Sequence, residues 1–184
     1  MPTNDEKLVL VMNLEFQLLF QALGDLEYFI VKNSEDTDDK IKVMLYHSYA
    51  RVLFHLYEFQ KSCVVRLKSK TQAEDNSVVE GHIISELERI ISGKGLQIER
   101  ASLVKFAEDL RKYRNKSHGH VTKEKLEEYS LVKFYNSNHT YVVLLLNECL
   151  SWWKQKSVAV ASHEAIQEFS KLLNFGKDIS KLLS

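Results

Sequence analysis

Residues 40–67 read KIKVMLYHSYARVLFHLYEFQKSCVVRL, and within them Ile41, Leu45, Ser48, Val52, Leu56, Phe59, Cys63 and Leu67 recur at steps of four and three throughout. That rhythm keeps one face of an α-helix turned to the same side, whereas a strand would need alternation at every second residue. Working upstream, Leu8, Val11, Leu14, Leu18, Ala22, Leu26 and Ile30 repeat the pattern, which predicts a helix over about 5–31. Between the two lies NSEDTDD (33–39), short, polar and closing on residues suited to cap a helix N-terminus. Two long antiparallel helices joined by a short loop follow.

Downstream, residues 68–76 are a polar connection, 78–91 predict a third helix closed by Gly93 and Gly95, and a fourth begins near Glu99. The fourth buries Leu103, Phe106, Ala107, Leu110 and Tyr113 before its apolar pattern stops. A helix is expected over about 122–136, capped by Thr122, with Asn136-Ser137-Asn138 separating it from another. That later helix carries Tyr141 to Leu146, Cys149, Leu150, Trp152 and Trp153, and is apolar on nearly every side, as a central helix or a dimer interface would be. The segment 165–176 is amphipathic again, with Gly176 as its cap.

Composition agrees with this pattern. The only proline is Pro2 and there are six glycines, too few for the frequent turns of sandwiches, barrels or alternating α/β folds. With 45% hydrophobic residues over 184 positions, the chain can bury a full core. The expected architecture is all-α, a single domain over 1–184 made of five to eight helices.

Lys plus Arg and Asp plus Glu number 25 each, so no overall charge favours nucleic acid or an anionic membrane. Cys63 and Cys149 form no CxxC pair, as expected of a reduced interior. The N-terminal apolar run is interrupted by Asn13 and Glu15 and preceded by acidic residues, unlike a secretory signal. The expectation is a cytoplasmic protein that does not enter a membrane.

The zero total hides one basic region. In RKYRNKSHGHVTKEK (111–125), Arg111, Lys112, Arg114, Lys116, Lys123 and Lys125 face Glu124 alone, six cations to one anion. Such a run is either a solvated helix end, favoured there by the macrodipole, or a phosphate-binding patch. Arginine offers a planar fork matched to phosphate oxygens, and histidine exchanges a proton near neutral pH.

Arg114-Asn115-Lys116-Ser117-His118-Gly119-His120 resembles the signature of the HEPN superfamily of α-helical nucleases: an arginine, a polar residue, then a histidine after four to six intervening residues. The resemblance implies metal-independent RNA cleavage by 2′-OH attack, with no cofactor, often by a homodimeric toxin or antiviral defence effector held by an antitoxin protein. It implies catalytic roles for Arg114, Asn115 and His120, with His118 as the second choice of histidine. Arg111, Lys112, Lys116 and Lys123 would bind the RNA. Some relatives carry a tyrosine two residues after the histidine; here Thr122 stands there, so that regulatory modification is not expected.

Other patterns carry alternatives. His118 and His120 as metal ligands lack any cluster to complete the set, so no metal is expected. His47, Arg51, His55 and Glu58 form a polar stripe on the second helix, either its wet face or the wall of a cleft beside the motif. Trp152, Trp153 and Tyr141 suit core or interface better than base stacking. The alternative function is a non-catalytic helical module binding RNA or protein through its basic end.

Overall fold

A computed structural model describes residues 4–35, 38–68, 75–119, 130–155 and 167–168, and among these every element is helical. The five helices are α1 (Asn4–Glu35), α2 (Asp39–Leu67), α3 (Asn76–Gly93), α4 (Arg100–Gly119) and α5 (Leu131–Gln155). The expected all-α bundle is what the chain forms. Gln167 and Glu168 are also helical, while the rest of the expected 165–176 helix lies outside the described residues.

α1 and α2 run antiparallel along most of their length. Two ion pairs and one hydrogen bond register them: Asp5 with Arg66, Asp25 with Arg51, and His55 Nδ1 with the Glu15 carboxylate at 3.3 Å. Asp38 begins α2 as its N-cap, its carboxylate accepting the Lys40 N–H at 2.9 Å, as the acidic loop suggested. By length and composition α1 is apolar enough to cross a membrane. Its inward stripe of Met12, Asn13, Phe16, Leu19 and Ala22 is nevertheless buried in the protein core.

α3 ends on a Schellman motif. The Leu96 N–H donates to the Ile91 carbonyl at 3.1 Å and the Gly95 N–H to that of Ser92 at 3.0 Å, with Gly95 in the left-handed region at φ 68°. The chain reverses there, and α4 returns beside α3, tied by Arg100–Glu88 and Arg111–Glu80.

One expectation is corrected. The break at Asn136-Ser137-Asn138 does not exist: α5 runs through it, so 131–136 belong to the later helix, while 122–129 lie outside the described residues. The reason is packing. Leu131, Phe134, Asn138, Val142, Leu145 and Cys149 are spaced as one helical stripe and all are buried, and their burial overrides the weak helix propensity of Asn-Ser-Asn. The hydrophobic core draws on all five helices, with Tyr57, Phe16, Phe106 and Leu145 among its most enclosed side chains.

Candidate functional site

α4 brings the conspicuous arginine to the side of α2. Its helix is unbroken from Arg100 to Gly119, so positions 114 and 118 sit one turn apart on the same helix. Arg114 donates from Nε to Glu58 Oε1 at 2.5 Å and pairs with the same carboxylate through Nη2. From Nη1 it donates to Asn115 Oδ1 at 2.8 Å. The ring centroids of Phe54 and Tyr57, both on α2, each stand 5.7 Å from the guanidinium carbon, two cation–π contacts.

The second arginine one turn earlier is matched too. Arg111 Nε donates to Glu80 of α3, a bond that raises the guanidinium pKa further. Between the two ion pairs, the buried Tyr57 hydroxyl donates to Asn76 Oδ1 at 3.2 Å. Its phenol is pushed up to about 12, first by burial and then by the Glu80 carboxylate, so it stays protonated at neutral pH.

The polar stripe on α2 is therefore no simple wet face. Arg51 and His55 reach across to α1, and Glu58 reaches to α4, so the stripe fills the seam where α1 and α4 flank α2. Glu58 stood out in the sequence as part of that stripe. Phe54, Tyr57, Asn76 and Glu80 carried no such signal, because nothing in local spacing says that α3 and α4 will lie beside α2.

Of the residues implied by the motif, Arg114 and Asn115 are joined by a hydrogen bond and Arg111 lies close by. Lys112 makes an exposed pair with Glu108 on its own helix at 3.2 Å. Lys116 and His118 are on α4 in backbone only, and His120 and Lys123 lie outside the described residues. The three described cations of the basic run are thus each met by a carboxylate, two of them from other helices.

Among the described residues, no group of three or more His, Cys, Asp or Glu side chains converges on a metal-sized point. Cys63 and Cys149 are free thiols packed near each other, with Gln60 Nε2 at 3.5 Å from Cys149 Sγ. Burial raises both thiols, Cys63 to about 12, which removes them as nucleophiles. Tyr141 packs against Phe106 at 5.2 Å between centroids, a core contact rather than a platform for bases. The side chains of Trp152 and Trp153 are outside the description.

Fold and site together define a helical bundle with an arginine-centred polar seam on α2 and α4. Comparison with family models, with curated proteins and with solved structures returns no match for this chain.

Proposed function

We propose that the chain is a metal-independent endoribonuclease of HEPN type, with Arg114 and Asn115 binding the scissile phosphate and His120, or His118 in its place, moving the proton. The observation that carries this reading is the fixed seat of Arg114. A guanidinium has five N–H donors, and three are engaged by Glu58 and Asn115, which leaves two uncommitted among the described residues. Such a group is oriented before substrate arrives and retains donors for a phosphate oxygen, the condition for stabilising charge that develops in the transition state.

In the reaction, the ribose 2′-OH gives its proton to a neutral imidazole and attacks phosphorus, a 2′,3′-cyclic phosphate forms, and the P–O5′ bond breaks as an imidazolium, of the same histidine or of its counterpart in the dimer, protonates O5′. Arg111, Lys112, Lys116 and Lys123 would hold the flanking RNA. The resemblance also supports a cytoplasmic homodimer acting as a toxin or antiviral effector, with an antitoxin protein as its partner. Solution mass measurement tests the dimer.

A second reading has its own observation. Arg111 and Arg114 are both neutralised by carboxylates of other helices, as they would be in a non-catalytic module where they only tie α4 to α3 and α2. One assay separates the two: purified protein incubated with RNA in EDTA. The nuclease yields 2′,3′-cyclic phosphate ends and loses activity in Arg114→Ala and in one histidine variant whose circular dichroism matches wild type. Equal cleavage by Arg114→Ala, His118→Ala and His120→Ala, or no cleavage by wild type, leaves the non-catalytic module.

A further inference from the structure

The carboxylate that seats Arg114 is engaged at one oxygen only. Glu58 Oε1 accepts from Nε at 2.5 Å and also meets Nη2, whereas Oε2 has no partner among the described residues. A guanidinium and a carboxylate often pair fork to fork, with one N–H to each oxygen. Here the second oxygen keeps its lone pairs and its share of the negative charge, next to a guanidinium with two uncommitted N–H groups.

That charge is felt locally. The Glu58 and Arg114 side chains are 18% and 27% exposed, so water screens them only in part. Arg114, Arg111, Glu58 and Glu80 all act electrostatically on the Tyr57 phenol, which places two cations and two anions around one buried ring. Glu15 and Lys61, which share a cavity of about 120 Å³ with Glu58, add one charge of each sign. The surroundings of Arg114 are therefore balanced, and Glu58 is the anion in direct contact with it.

A phosphodiester arriving at Arg114 meets a cation already compensated, so its single charge gains little in the ground state. As the 2′-OH attacks, more charge develops on the phosphate oxygens, and donors held in place by Glu58 and Asn115 then act at full strength. Glutamine at position 58 would keep the shape and an acceptor oxygen but not the charge. Its hydrogen bond to Arg114 would be weaker and the guanidinium less fixed, while the cation would be freed for RNA.

We propose that Glu58 is a positioning residue that acts through Arg114: its charge lowers RNA affinity while its contact fixes the guanidinium for the transition state. This rests on the nuclease reading. Wild type, Glu58→Gln and Glu58→Asp are compared once circular dichroism shows equal helical content. Binding is measured with a fluorescent 2′-O-methyl oligonucleotide, which cannot be cleaved through its 2′ oxygen, in EDTA at several salt concentrations. Turnover is measured with the unmodified oligonucleotide.

Glu58→Gln is expected to bind about fivefold tighter, with a salt slope larger by about 0.7 for the cation set free. Its kcat should fall about tenfold while KM also falls, a split that a merely structural glutamate would not produce. Glu58→Asp keeps the charge on a shorter arm, so its affinity and slope should stay at the wild-type values while kcat falls. Unchanged or weaker binding by Glu58→Gln, or a wild-type kcat in that variant, overturns the proposal; the nuclease reading survives this if wild type cleaves and Arg114→Ala does not. If wild type binds the oligonucleotide and never cleaves, the nuclease reading falls. Tighter binding with the larger slope in Glu58→Gln then still supports control of Arg114 by Glu58, and unchanged binding overturns it. Absence of binding by both proteins overturns both readings.

Discussion

At Arg114 one guanidinium is shared among Glu58, Asn115 and two aromatic rings, with the arginine and glutamate side chains 27% and 18% exposed. Removing it leaves the Glu58 carboxylate half-buried without a cation. Arg114→Ala is therefore expected to cost about 2 kcal/mol, below the value for a fully buried pair because water still reaches both groups. Glu58→Gln with Arg114 retained should cost less, and the double variant Arg114→Ala, Glu58→Ala should recover part of the loss. A double-mutant cycle by denaturant unfolding measures this, and strict additivity would show that the pair is not coupled. The same stability loss explains why the cleavage assay needs a folding control.

Asn13 behaves differently. It is fully buried in α1, and neither amide atom has a hydrogen-bond partner among the described residues. Asn13→Leu should stabilise the fold by about 1–2 kcal/mol, seen as a rise in Tm, because an apolar group of similar size carries no desolvation penalty. A fall in Tm would mean that the amide has a partner or a role. In the sequence, Asn13 read as an interruption of an apolar run; only the packing of α1 on α2 turns it into a buried amide.

At the scale of elements, α2 was legible because its period is unbroken over 28 residues, and α1, α3 and α4 followed for the same reason. The break at 136–138 was misread because Asn-Ser-Asn resembles a loop locally, while the stripe from Leu131 to Cys149 is apparent only once its burial is known. The end of α3 is a case where local chemistry sufficed. Gly95 has open space where a Cβ would stand, so its φ of 68° alone sets the cost of Gly95→Ala at about 1 kcal/mol. Tm should fall by about 2–4 °C, and no change would mean that the turn accepts another conformation.

For the molecule as a whole, stability should depend on pH through two histidines. Burial lowers His82 and His139 below their ordinary 6.5, with Glu86 opposing the shift at His82, and Tyr49 and Tyr135 surrounding His139. As pH falls through about 6.5, the unfolded chain binds protons that the folded chain still refuses, so the folded state loses stability on acidification. Above that value both forms are neutral and nothing changes. Thermal melts from pH 7.5 to 5 should show a falling Tm, and the double variant His82→Gln, His139→Gln should flatten it. An equally steep profile in that variant would assign the dependence to other groups.

By itself the sequence determined the all-α class, the first four helices and the existence of a basic region holding Arg114, because period and turn chemistry act between near neighbours. Tertiary structure decided what that region is. It delivered Glu58 and Glu80 from other helices to Arg114 and Arg111, joined the polar stripe of α2 to α1 and α4, and carried α5 through Asn138. Those outcomes depend on which helix faces lie together, and such long-range pairing is set by burial of the whole core, which no local stretch encodes.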